Sequence, residues 1–186
     1  MAVSSNICSL LGRLAHRIAR CRYGAVPEPV TVMLNHRPAF WAYALWELGN
    51  EKAMRRLPAS LRELVVYRVA TQVGCSWCVN FGTMLLRDHG LDVERLRELD
   101  SFRTSLAFTP TERRGLAYAD AVTALPTTVT DEMVAELDAE LGYDGLVALT
   151  YAIAVENHRA RFNHALGSTD QGFTSDEACR VPLRGS

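Results

Sequence analysis

The sequence predicts an all-α protein, and three observations carry that prediction. Helix punctuation recurs along the 186 residues, as Pro at helix starts, Thr at caps and Gly at stops. Apolar residues fall at three- and four-residue spacing, which lines one face of a helix. Between those segments there is no convincing alternation of apolar and polar residues, the mark of a half-buried strand.

The elements follow in chain order. MAVSSNICSLLGRLAHRIARCRYG lacks acidic residues and sets Ile7, Leu10, Leu11, Leu14 and Ile18 on one stripe, with Arg13, Arg17 and Arg20 elsewhere. This basic amphipathic helix suits packing on the body of the protein or on a neighbouring subunit better than a membrane surface or a transit-like segment, and its arginines break any signal-peptide core. PAFWAYALWELGN, residues 38–50, opens on Pro, is rich in aromatic and apolar side chains, and is expected to close at Gly49-Asn50.

LPASLRELVVYRVATQVG starts at Leu57-Pro58, turns Leu61, Leu64, Val65, Val69 and Val73 to a core, and stops at Gly74. CSWCVNFGTMLLRDHG then begins a second helix at the cysteines and ends at Gly90. In TPTERRGLAYADAVTAL, residues 109–125, Thr109 is the N-cap, Pro110 the first helical residue and Glu112 completes a capping box. Thr130 caps DEMVAELDAEL, and residues 144–166 form a long helix whose front half, GLVALTYAIAV, is apolar nearly all round and therefore central. Gly167 ends it. The tail STDQGFTSDEACRVPLRGS is polar and aperiodic, and is expected to run extended over the surface. The division is an N-terminal helix at 1–26, a helical domain at 27–167 and a tail at 168–186.

Composition excludes several classes. With 48% hydrophobic residues, 22% charged and a formal net charge of -1, the chain has neither the signature of disorder nor the basic footprint of a nucleic-acid binder. No apolar run approaches the roughly 18 to 20 residues of a membrane span. Five cysteines, odd in number and scattered apart from Cys75 and Cys78, fit a reducing cytoplasm rather than a disulfide framework.

QVGCSWCVNFG places Cys75 and Cys78 in the first turn of a helix. There the free backbone N–H groups and the macrodipole favour the thiolate, and three-residue spacing puts both sulfurs on one face, close enough for a small disulfide ring. Three readings stand side by side. A structural zinc needs four ligands, and His158 and His164, six apart, face about 240° away from one another on a helix. Two inert buried thiols are small hydrophobes, but that reading does not account for a helix start just after a Gly. A redox dithiol does, although the βαβ context of a thioredoxin is missing.

Four blocks in order, HRPAFWAYALWELG, LPASLRELVVYRVATQVGCSWC, TPTERRGLAYADAVTALPTTVTDE and LVALTYAIAVENHRARFNHALG, resemble the carboxymuconolactone decarboxylase superfamily and, within it, the alkylhydroperoxidase D-like branch. The resemblance covers roughly residues 24–173, and its core is a Glu, eleven residues, then CxxC, which Glu63, Cys75 and Cys78 satisfy. It implies a compact all-helical oligomer of about seven to nine helices. It also implies a dithiol at Cys75 and Cys78 that reduces a peroxide or a disulfide partner, with Glu63 in a proton relay. A thiol protein or a lipoyl-type dithiol would restore the pair, and neither cofactor nor metal is implied. The branch's His, four residues after the second cysteine, is here Gly82.

For the space that Gly82 leaves beside Cys78 the candidates are Tyr67, one turn after Glu63, and His158, Arg159, Arg161, Asn163 and His164, which crowd the end of the long helix. Of these, Tyr67 and His164 are the candidates to complete the relay. Each has a structural alternative. Tyr67 suits a core residue with its hydroxyl at the edge, and the ENHRARFNH cluster complements a helix C-terminus. Glu63 itself fits a capping box with Ser60, unless the helix starts at Pro58 and frees the carboxylate to face the thiols. Trp77 is a packed aromatic shaping the entrance, and Cys179 is a third thiol or a buried cysteine under the tail. Cys8 and Cys21 carry no special reading. The sequence thus supports a thiol-dependent oxidoreductase. The alternatives are a lactone decarboxylase, whose chemistry needs no cysteine pair, and a non-catalytic helical binding protein, which Gly82 favours.

Overall fold

The computed structural model describes residues 10–23, 25–88, 90, 92–168 and 171, and among them are seven α-helices, one 3-10 helix and no strand. Ile7, Cys8 and Cys179 lie outside the described residues, and of the tail only Ser168 and Gln171 are described. None of the helices is long and apolar enough to cross a membrane. The chain divides into two compact units, Met1–Gly49 and Asn50–Ser186.

The first unit holds α1 (Leu10–Tyr23), α2 (Glu28–Leu34) and the front of α3 (Arg37–Met54). On α1, Ala19 is buried while Leu14, Ile18, Arg13, Arg17 and Arg20 face outward, and Cys21 is an exposed free thiol. α2 is short, with Pro27 ahead of it and Pro29 in its first turn. Both prolines sit where a helix tolerates a missing N–H. On α3, Trp41, Leu45 and Leu48 form an exposed stripe at helical spacing.

α3 does not close at Gly49-Asn50 as expected but runs on to Met54. The reason is tertiary. Asn50 is fully buried and its Oδ1 accepts a hydrogen bond from the Tyr151 hydroxyl at 2.6 Å, so an Asn that reads as a stop signal is held inside the helix.

The second unit contains α4 (Ala59–Val73), α5 (Ser76–Asp88), a 3-10 helix (Val93–Ser101), α6 (Pro110–Thr123) and α7 (Asp131–Ala165). α4 packs against α5, α6 and α7. Its two faces feed two apolar clusters, as the helical repeat requires. Leu64, Tyr67 and Ala70 join Cys75, Trp77, Cys78, Leu96, Leu99 and Phe102. Leu61, Val65 and Val69 instead join Ala119, Leu137, Leu149, Ala152 and Ile153 of α6 and α7. Gly115 lets α6 approach α4 closely, since any Cβ there would collide with the Leu61 side chain.

The capping box of α6 forms as expected and also works beyond its own helix. Glu112 N–H donates to Thr109 Oγ1 at 3.2 Å, and Thr109 N–H to Glu112 Oε2 at 2.8 Å. The same buried carboxylate accepts from the Ser60 hydroxyl of α4 and from Arg95 Nη2 of the 3-10 helix at 2.6 Å. Burial by itself would raise the Glu112 pKa, but the bonds from Ser60, Thr109 and Arg95 outweigh it and hold the group below its ordinary value. A second tie joins α4 to α6, where Arg68 meets both Asp120 oxygens at 2.6 and 3.2 Å.

α7 is capped at Thr130, whose Oγ1 accepts from Met133 N–H. It is interrupted at Gly142, where φ 71° and ψ 165° leave the helical region, so two helical segments follow one another as the sequence suggested. The second segment is buried along Gly145, Leu146, Leu149, Ala152 and Ile153. Gly167, at φ 70°, ends it.

Candidate active site: the cysteine pair at the start of α5

The site begins with how α4 stops. Gly74 adopts φ 78° and ψ 29°, the left-handed conformation that side chains resist, and the N–H groups of Gly74 and Cys75 both return to the Ala70 carbonyl, at 3.1 and 3.0 Å. This turn delivers Cys75 to the residue just before α5. Cys75 therefore sits at the N-cap position, and its Sγ accepts a hydrogen bond from the backbone N–H of Cys78 at 3.2 Å. A sulfur there fills the role Ser or Asp usually has, with the positive end of the helix aimed at it.

Cys75 and Cys78 are joined as a disulfide with Cα atoms 5.3 Å apart. They are 1% and 7% exposed. Asn163 of α7, itself 2% exposed, points its Nδ2 at Cys78 Sγ from 3.5 Å. Trp77 stacks on Phe81 with ring centroids 4.7 Å apart, and its Nε1 donates to Gln171 Oε1 of the tail at 2.7 Å. The aromatic between the cysteines thus packs one turn along its own helix and is tied to the tail.

The sequence-predicted residues are placed as follows. α4 begins at Ala59 with Pro58 ahead of it and no side-chain cap, and the Ser60 hydroxyl is directed to Glu112. Glu63, on the second turn, accepts from Arg62 Nη2 at 2.9 Å and Nε at 3.1 Å. Tyr67 is 1% exposed and packs against α5, where a Cβ at Gly82 would meet its Cδ2 at 3.4 Å. His164 is exposed, and its Nδ1 lies 3.1 Å from the Gly74 carbonyl, on the turn that precedes Cys75. His158 stacks beside Phe162. Among the described residues no three His, Cys, Asp or Glu side chains converge to hold a metal ion.

Sequence reasoning names Asn163 only among the residues crowding the end of the long helix and prefers His164, whereas the side chain on Cys78 is Asn163. A signal was present, since Leu149, Ile153, Glu156, Ala160 and Asn163 continue one buried stripe at three- and four-residue steps, and His164 falls about 100° off it. Chemically, the site offers two sulfurs able to exchange a bond, one at a helix N-terminus and one against an amide donor.

Residues 39–121 match the carboxymuconolactone decarboxylase family. The chain is 29% identical over 167 residues to the uncharacterized protein YnjA of Escherichia coli (strain K12), spanning 90% of this chain and 89% of that protein. A solved structure from Agrobacterium tumefaciens, a protein of unknown function and candidate antioxidant defence protein AhpD, superimposes with a TM-score of 0.68 at 25% identity, over 75% of this chain and 95% of that one. The apo debrominase Bmp8 superimposes with a TM-score of 0.77 at 18% identity, over 97% and 94% of the two chains, which is a likeness of fold. The matched stretch runs from α3 into α6 and contains Glu63, Cys75 and Cys78, so the part of the chain that carries the cysteine pair is similar to the carboxymuconolactone decarboxylase family.

Proposed function

We propose that the protein is a thiol-dependent oxidoreductase in which Cys75 and Cys78 cycle between dithiol and disulfide while reducing a peroxide or a disulfide partner. The observation that supports this best is the placement of both sulfurs at the start of α5, bonded to one another, with Cys75 Sγ at the cap. A helix N-terminus favours the thiolate, which is the attacking species.

With a peroxide, a thiolate sulfur attacks one oxygen, the O–O bond breaks, and the sulfur becomes a sulfenic acid while the alcohol or water leaves with a proton. The other thiol then attacks the sulfenic sulfur, closing the Cys75–Cys78 bond and releasing water. A reducing dithiol, on a thiol protein or a lipoyl-type group, supplies two electrons and two protons and departs as its own disulfide. Glu63 is the proposed proton carrier, with Tyr67 and His164 as further members of the relay. Assembly of copies through the exposed Trp41, Leu45 and Leu48 stripe, and work in the cytoplasm, belong to the same proposal.

Gly82 favours a second reading, a helical binding protein of the same fold without turnover. Mass spectrometry of differentially alkylated protein, before and after limiting peroxide, separates the two. The proposed function requires a reversible Cys75–Cys78 disulfide that is absent in Cys75→Ser and Cys78→Ser; failure to form it sinks the oxidoreductase and leaves the binding protein, or a lactone decarboxylase in which the pair has no part.

A further inference from the structure

We infer that Asn163 is a catalytic residue, its side-chain amide donating the hydrogen bond that stabilises Cys78 whenever that sulfur carries negative charge. The amide is 2% exposed and its Nδ2 stands 3.5 Å from Cys78 Sγ. A buried amide N–H seeks an acceptor, and the sulfur of a disulfide or a thiol is a weak one. A thiolate is a strong one, because hydrogen bonds to ionised groups are about twice as strong as neutral ones. The contact therefore gains most in the charged state of Cys78, both when it attacks and when it departs from a disulfide.

Position supports this assignment. Gly82, one turn after Cys78, brings no side chain to the sulfur from α5, and the ring of Tyr67 packs against that glycine. Help for Cys78 then comes from α7, where Asn163 sits on the buried stripe behind Ala160. Cys75 is provided for separately, by the N-terminus of α5. The two sulfurs are thus stabilised by different means, a helix end and a side-chain amide. An amide neither gains nor loses a proton at ordinary pH, so Asn163 tunes the thiolate without acting as a base.

The inference rests on the dithiol reading, yet its test needs no peroxide. The rate of Cys78 alkylation by iodoacetamide is followed against pH in Cys75→Ser protein, alone and with Asn163→Leu, Asn163→Asp or Asn163→Gln added. Leu removes the donor at similar size; Asp keeps the shape but brings an acceptor and a like charge. Glu63, Tyr67 and His164 on the packed helices are unchanged throughout.

The expected result is a midpoint moved to higher pH and a rate at pH 7 about tenfold lower with Leu, lower again with Asp, and partly restored with Gln. Cys75 alkylation in Cys78→Ser protein, with the same Asn163 substitutions, is expected to stay within about twofold. A purely structural role would disturb both cysteines together and would follow the loss of melting temperature. Cys78 profiles within about twofold of the parent in Asn163→Asp, the variant that best preserves shape, overturn the inference. If the Asn163 effect appears but peroxide closes no disulfide, the functional reading fails alone; if the disulfide cycles and the effect is absent, only the role of Asn163 fails.

Discussion

The ring of Tyr67 on α4 lies against Gly82 on α5, so that a methyl group at position 82 would meet Tyr67 Cδ2 at 3.4 Å. The space beside Cys78 is therefore closed by an aromatic that is 1% exposed. Gly82→Ala is expected to fit at van der Waals contact and to gain the helix propensity of Ala, about 1 kcal/mol. Calorimetry would show a melting temperature higher by about 2–4 °C. Gly82→His must displace the ring and is expected to cost about 1–3 kcal/mol. A His variant as stable as the parent would show that Tyr67 yields freely.

Glu63→Gln separates a relay carboxylate from a structural one. Its pair with Arg62 joins chain neighbours that are only partly buried, and such a pair contributes at most about 1 kcal/mol. The melting curve is therefore expected to change little. Turnover with peroxide is expected to fall by about 100-fold, the lower range for a lost proton-transfer group. An unchanged rate would remove Glu63 from the mechanism.

Gly74→Ala tests the turn that sets Cys75 at the cap. Position 74 has open space for a methyl group but holds φ 78°, so the cost is in the backbone alone, about 1–2 kcal/mol. Asn tolerates this conformation better than Ala, and Gly74→Asn is expected to lose less. Urea unfolding of the three proteins would show the order Gly, Asn, Ala. Equal midpoints would mean that the turn is not held in the left-handed conformation in solution.

Glu112 gives stability a pH dependence of definite sign. Burial alone would raise its pKa; the bonds from Ser60, Thr109 and Arg95 lower it overall from 4.5. A carboxyl depressed on folding contributes stability above its unfolded value, and this is lost as pH falls through the folded value. Glu112→Gln is expected to cost about 1–3 kcal/mol at pH 7. The difference from the parent should narrow as pH falls below 4.5. A constant difference between pH 7 and pH 3 would assign the loss to packing.

Much of this architecture was legible in the residues because local rules and the global fold agree. Pro58, the Thr109–Glu112 box, Thr130, Gly74 and Gly167 each bound a helix where their chemistry predicts. Asn50 shows the limit: it reads as a stop, yet a bond from Tyr151, 101 residues away, keeps it inside α3. Glu112 shows another, for the capping box was visible while its partners Ser60 and Arg95 come from separate elements.

By itself the sequence determined the all-helical class, the bounds of α4 to α7 to within a residue or two, and the placement of two cysteines in one helical turn, since these depend on periodicity and on residues within a few positions of one another. The 3-10 helix Val93–Ser101 was not anticipated. Tertiary structure decided which side chains meet the sulfurs. His164 and Asn163 are adjacent in the chain, but α7 turns by about 100° per residue, so one lies at the Gly74 carbonyl and the other at Cys78. Tyr67 and Gly82 likewise became neighbours only when α4 packed on α5. Contact across helices depends on how two faces pack, and no spacing within a single segment encodes that.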